Sequence, residues 1–335
     1  MKSELQKTIR DMVIRGKGIL AADESTPTIG KRFDSIKVVN TEENRRAYRE
    51  LLFTTPKIEN YISGVILFEE TLGQHTKDGI SFVQLLSQKG IVPGIKVDKG
   101  VRPLPFSLNE SYTQGLDDLD GRLQQYKKMG ARFAKWRAVI PISSDYPSGK
   151  AVEANAEGLA NYAAVCQANG IVPIVEPELL MEGNHTIERC FEATETVLQS
   201  VFEKLNRHGV QLEFMVLKPS MVISGKNCLQ QASVVEVAEA TLTVLRRTVP
   251  AAVPSINFLS GGQSDELATA HLKAMNASRI GKPWLVSFSY GRGLQVPTLN
   301  AWLGKLENKE AAQKALYACA KANGEATLQA VKIPA

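Results

Sequence analysis

The chain has 335 residues, 44% of them hydrophobic, and 40 lysines and arginines against 35 acids, for a net charge of +5 and a pI of about 8.9. This is enough apolar content for one large core, and the mild basic excess favours anionic ligands; with no basic run interleaved with aromatics, nucleic acid is not an expected partner. Four scattered cysteines, a charged start (MKSELQKTIRDMVIRGKG) and the lack of a long apolar run argue against a disulfide scaffold, a secretory leader and a membrane span, so a soluble cytoplasmic protein is expected.

A first helix is predicted from Leu5, Ile9, Met12 and Val13 at helical spacing. GKGILAAD is a short apolar strand ending on Asp23; ESTPTIGKR then reads as a polar loop before a charged helix around residues 42–50. ISGVILFEE is the second strand, DGISFVQLLSQKG a helix stopped by Gly90, and IVPGIKVDKG the third strand. LDDLDGRLQQYKKMG is a helix with Leu116, Leu119, Leu123, Tyr126 and Met129 on one side, stopping at Gly130. ARFAKWRAVI is strand four, AVEANAEGLANYAAVCQANG a helix ending at Gly170, and IVPIVEPE strand five. TIERCFEATETVLQSVFEKLNRHG ends at Gly209 and leads into LEFMVLKPS, the sixth strand, which Pro219 closes because proline has no amide proton for the ladder. The helix VVEVAEATLTVLRRTVP, the strand PSINFLSGGQS, the helix DELATAHLKAMNAS and the strand PWLVSFSYGRG complete the series, and from about Thr298 the rest is helical.

About eight apolar strands alternate with helices, the signature of a parallel sheet covered on both faces. The expected fold is therefore α/β, a closed (β/α)8 TIM barrel spanning 1–335 as a single domain, with an N-terminal helix and a C-terminal helical extension. The alternative, an open doubly wound sheet, lacks a GxGxxG after the first strand.

Polar residues gather at the carboxyl ends of these strands: Asp23, Glu69, Lys96 and Asp98, Lys135 and Arg137, Glu176 and Glu178, Lys218, Ser260 and Ser289. Any one of them is as well explained by solvation at a wet barrel end; the set on successive strands is not. Because side chains two apart share a strand face, Lys135 and Arg137 point one way, as do Glu176 and Glu178. Lysines converging with carboxylates suit nucleophilic amine chemistry: neighbouring cations favour a free amine, carboxylates move protons, and surplus cations hold an anion.

Two loops read as phosphate cradles. LSGGQSDE after the seventh strand offers the amides of Gly261 and Gly262 before a helix start, and SYGRG after the eighth offers Gly291 and Arg292. Lys96 with Arg137 and Ser25 makes a second cationic group. The four histidines, His75, His185, His208 and His271, do not stand at ligand spacing, and lysines beside the acidic pairs oppose Mg²⁺, so neither a metal nor another cofactor is expected.

GILAADEST, VILFEETL, IKVDKG, FAKWR, IVEPE, LKPSMV, FLSGGQS and SYGRGLQ, in this order and each at a strand end, resemble the successive motifs of class I fructose-1,6-bisphosphate aldolase, over about residues 16–305. The resemblance implies a (β/α)8 barrel, often a homotetramer, that uses no metal. It further implies reversible cleavage of fructose 1,6-bisphosphate to dihydroxyacetone phosphate and glyceraldehyde 3-phosphate, in glycolysis, gluconeogenesis or the Calvin cycle. Lys218 matches the Schiff-base lysine, and Glu176 the acid/base that forms and dehydrates the carbinolamine. Lys135, Arg137 and Glu178 match residues of the AKWR and EPE motifs, and Asp23 the aspartate of AADES. Lys96 matches the lysine near the phosphate distal to the ketone; Ser260, Gly261 and Arg292 match binders of the phosphate next to it.

The sequence departs from the pattern in two places. It ends QAVKIPA, without the tyrosine-terminated tail that many members use to exchange a proton on the enamine. The loop after Asp23 has Pro27 where many relatives have glycine, and Thr28 where they have serine, although Thr28 keeps a hydroxyl for phosphate. Three rivals stand beside this reading: another Schiff-base barrel lyase acting on a different phosphosugar, with fructose 1-phosphate and sedoheptulose 1,7-bisphosphate open as additional substrates; a non-catalytic phosphosugar-binding or scaffold protein on the same fold; and a metal-dependent aldolase, which the histidine spacing disfavours.

Overall fold

The computed structural model describes residues 2–329. Eight parallel strands close a barrel: β1 (Gly18–Ala22), β2 (Ile62–Leu67), β3 (Val92–Lys96), β6 (Phe133–Ile140), β7 (Val172–Leu179), β8 (Val216–Leu217), β9 (Ser255–Phe258) and β10 (Leu285–Tyr290), with β10 returning to β1. The remaining two, β4 (Val101–Pro103) and β5 (Ser111–Thr113), form an antiparallel hairpin within the β3–β6 connection. The (β/α)8 expectation holds. The chain's end, QAVKIPA, on which the absence of a terminal tyrosine is read, spans residues 329–335, and all of it but Gln329 lies outside the described residues.

Strand alternation sorts the side chains. Leu20, Ala22, Val65, Leu67, Ala134, Trp136, Val175, Leu217, Ile256 and Phe288 pack with residues of the surrounding helices. Ile19, Ala21, Ile66, Val92, Phe133, Val172, Ile174 and Val216 form a separate cluster inside the barrel, closed at its amino end by Leu5 and Met12 of helix Lys2–Met12. Continuing the inner rows by two residues per step brings Asp23, Lys96, Lys135 and Arg137, Glu176 and Glu178, and Lys218 to the carboxyl end. The floor is thus apolar and the mouth charged.

The predicted stops at Gly90, Gly130, Gly170 and Gly209 all take positive φ, the left-handed step that ends a helix. Four expectations need correction. Residues 24–32 are not a loop: helix Thr26–Ser35 forms there, because Pro27 suits a helix's first turn and Ile29, Gly30 and Phe33 bury one face. In the sixth strand unit, Leu212–Phe214 is a 3-10 turn and only Val216–Leu217 is strand, although the Lys218 amide still reaches the Val175 carbonyl at 2.8 Å. Met129, placed on the apolar side of its helix, caps helix Leu119–Lys128 and is exposed. Glu69 opens a short helix instead of facing the mouth, and pairs with the Tyr126 hydroxyl at 2.6 Å and with Lys99. The hairpin went unread because the three residues of β4 are exposed and carry no apolar alternation.

Phe133 fills the barrel beside Gly94, where an added Cβ would stand 2.2 Å from the ring. Gly94→Ala is therefore expected to destabilise the fold by about 2–3 kcal/mol through overpacking, read as a lower denaturant midpoint at unchanged slope. An unchanged midpoint would mean that the ring gives way.

Candidate active site

A cavity of about 450 Å³ opens at the carboxyl ends of the strands. Of the catalytic and phosphate-binding residues expected from the sequence, all but Gly262 line it; Glu69 and Asp98 of the strand-end set do not. Gly262 turns behind the wall at φ +94, and a Cβ there would come 3.0 Å from the Arg292 guanidinium, so it leaves room for that side chain.

The centre is built by three strands. Lys218 Nζ stands 3.0 Å from Glu176 Oε1, and Lys135 Nζ is 3.3 Å from Glu176 Oε2 and 2.7 Å from Asp23 Oδ2. Glu176, Lys135 and Lys218 are each buried, so one carboxylate is shared by two amines out of contact with bulk water. Burial alone would raise Asp23, but Lys135 and Lys218 outweigh it and hold the carboxyl well below the usual range. Burial likewise opposes charge on Lys135, and Asp23, Glu176 and Asp98 more than offset it, so Lys135 remains an ammonium. The ladder fixes these positions: the Ser220 hydroxyl links both to the amide and to the carbonyl of Leu179, and the Leu259 amide donates to the Pro219 carbonyl at 3.1 Å.

Cations ring this centre. Lys96 Nζ pairs with Asp98 at 2.6 Å, Arg137 pairs with Glu178, and the hairpin's Thr113 hydroxyl braces the Arg137 carbonyl at 2.7 Å. Burial presses Arg292 below its usual range; Glu178 opposes this, while the charges of Arg32 and Arg137 add to it. Ser289 Oγ, 1% exposed and on the cavity wall, has no hydrogen-bond partner among the described residues. Such an arrangement suits an anion that supplies several acceptor oxygens.

Sequence reasoning missed Glu24, Lys31 and Arg32, which also line the cavity. The signal was available: once residues 26–35 are helical, Thr28, Lys31 and Arg32 share a face at spacings of three and four. His271, which by sequence only fails to stand at ligand spacing, supports the Ser260 turn from behind. Its Nδ1 is 2.7 Å from Gln263 Oε1, and Gln263 Nε2 donates to the Ser260 carbonyl at 3.1 Å. That second bond orients the carboxamide, so Nδ1 carries the proton. Burial lowers His271 to about 4, keeping the ring neutral. His271→Leu keeps an apolar fit and loses the bond; a roughly fivefold weaker affinity for inorganic phosphate is expected from one hydrogen bond, with recovery in His271→Gln. Titration calorimetry reads it, and equal affinities would show that the turn holds itself.

Fold and site together define a barrel enzyme with paired amines and carboxylates at its centre and a cationic rim. Known proteins give the particular family. The family model for fructose-bisphosphate aldolase class-I matches residues 4–333. A probable fructose-bisphosphate aldolase class 1 of Xanthomonas campestris is 56% identical over 327 residues, 97% of each chain. The cytosolic fructose-bisphosphate aldolase 5 of Arabidopsis thaliana is 57% identical over 97% of this chain and 90% of its own. The solved structure of Plasmodium falciparum fructose-bisphosphate aldolase, in complex with TRAP and an inhibitor, superposes with a TM-score of 0.96 at 49% identity, covering 99% and 96% of the two chains. The chain belongs to the class I fructose-bisphosphate aldolase family, and its function is that family's glycolytic carbon–carbon lyase reaction on a phosphosugar. Among the described residues no helix is long and apolar enough to cross a membrane.

Proposed function

We propose that Lys218 is the amine that forms the Schiff base with fructose 1,6-bisphosphate. The observation that carries this reading is its 3.0 Å contact with a carboxylate, Glu176, that also faces a second amine. The free amine of Lys218 adds to the C2 ketone. Glu176 takes the proton that Lys218 sheds on becoming the free amine and passes it to the carbinolamine oxygen, which leaves as water and gives an iminium. Asp23, kept ionised by Lys135, accepts the C4 hydroxyl proton as the C3–C4 bond breaks and its electrons move into the iminium. Glyceraldehyde 3-phosphate leaves; the enamine takes a proton at C3, and water releases dihydroxyacetone phosphate from Lys218.

Lys135 keeps Asp23 ionised and holds Glu176 near, and Glu178 holds Arg137. Ser260, Gly261, Ser289, Gly291 and Arg292 hold the phosphate beside the ketone, with Gly262 making room for Arg292. Ser25, Thr28, Lys96 and Arg137 hold the distal phosphate. The whole chain, 1–335, acts as one domain in the cytoplasm and assembles as a homotetramer; the cytosolic Arabidopsis relative supports the location and the family resemblance the assembly.

Incubation with dihydroxyacetone phosphate and borohydride in EDTA, followed by peptide mass mapping, tests the chemistry. A reduced adduct on Lys218 is expected. Folded protein that carries no lysine adduct would remove the Schiff-base reading.

A further inference from the structure

Glu24 lines the cavity yet is only 7% exposed, and three helices converge on its carboxylate. Arg32, of helix Thr26–Ser35, pairs with Oε1. Arg49, of helix Glu42–Phe53, places Nη2 2.7 Å from Oε2. Gln295, of helix Arg292–Trp302, donates to Oε1 at 2.8 Å and to the Ala21 carbonyl at 2.7 Å. The two arginines differ in access. Arg32 reaches the cavity wall, whereas Arg49 is absent from it, is 2% exposed, and lies 5.9 Å from the centroid of the buried Tyr48 ring.

A buried carboxylate with a single cationic partner holds that partner tightly, because parting would strand a desolvated charge. Glu24 has two. Arg32 can therefore leave it for another anion while Arg49 keeps the carboxylate ion-paired and Gln295 keeps it hydrogen-bonded. Arg32 stands one helical turn from Thr28, of the edge assigned above to the distal phosphate, and its Nη2 would lie 3.8 Å from a Cβ at Gly291, so the guanidinium sits between the two groups of phosphate-holding residues.

We propose that Arg49 is a positioning residue that sets the preference for a bisphosphate over a monophosphate: by holding Glu24, it frees Arg32 to pair with the phosphate distal to the ketone. This rests on the distal-phosphate reading in the preceding subsection. Removing Arg49 leaves Glu24 to compete with the substrate for Arg32. Removing the carboxylate charge as well ends the competition, and a merely structural role for Arg49 would not give that reversal.

The test compares kcat/KM for fructose 1,6-bisphosphate and fructose 1-phosphate in the full-length enzyme. Arg49→Met is expected to lower the bisphosphate value about tenfold, mainly through KM, and to leave the monophosphate value within about twofold. Arg49→Lys, which restores one charge, and the double variant Glu24→Gln/Arg49→Met are both expected to recover the preference. Equal falls for the two sugars, no fall in Arg49→Met, or a double variant as poor as the single one would each overturn the proposal. If Arg49→Met fails to fold, the double variant, which strands no charge, still decides: a lost preference there counts against it. Borohydride trapping of dihydroxyacetone phosphate on Lys218 in the same preparations reports on the catalytic reading separately.

Discussion

Lys218→Ala is expected to lower turnover roughly 10⁵-fold while leaving a folded barrel. The size follows from the chemistry: without the amine there is no iminium, and the C3–C4 electrons have no sink. The fold survives because Glu176 is not stranded; Lys135 remains 3.3 Å from its other oxygen. Lys135 is also the reason that a nearby amine does not replace the lost one, since Asp23 and Glu176 keep it charged and therefore not nucleophilic. Steady-state cleavage, circular dichroism and borohydride trapping read the three parts together. Full activity in a folded variant would sink the assignment of Lys218.

Glu176→Gln carries the second-largest effect. The amide keeps the shape and a hydrogen-bonding oxygen but cannot carry the proton that water loss from the carbinolamine requires. A fall in kcat of about 10³-fold is expected, with slower formation of the trappable adduct, measured by quenched-flow borohydride trapping. The loss should persist from about pH 5 to pH 9, where the remaining Asp23–Lys135 pair does not titrate. Asp23 has a folded value below its unfolded one, so its stabilising contribution is present above about pH 4 and is lost only as pH falls through the folded value. Lys135 has a folded value above its unfolded one, so its contribution is present below about pH 10 and is lost only as pH rises through the folded value. Recovery of Glu176→Gln at any pH inside that window would show that another group moves the proton.

Much of the centre is legible in the sequence. Lys135, Glu176 and Lys218 end apolar runs, and a charge at the end of a buried strand has few places to go but the mouth of a barrel. The step of two that puts Lys135 with Arg137, and Glu176 with Glu178, is a property of strands and needs no tertiary information. Glu24, Arg32, Arg49 and His271 were harder. Arg49 sits in a charged helix that reads as solvent-exposed, yet its side chain is 3% exposed because Glu24 from another segment meets it. His271 lies between Ala270 and Leu272 on the buried face of its helix, and its role appears only when Gln263 turns back toward it.

The chain by itself determined the alternation of apolar strands and helices, the glycine stops, the burial of strand faces and the charges at their ends. These follow from local backbone preferences and side-chain spacing, which act over a few residues. Only the tertiary structure decided that residues 26–35 form a helix at the mouth, that Glu69 turns away to Tyr126, and that Glu24 joins three helices. Each of these depends on the free energy of bringing together groups far apart in the chain. The Glu24 cluster joins residues 24, 32, 49 and 295, and no local pattern encodes the energy of pairing a buried carboxylate across that distance.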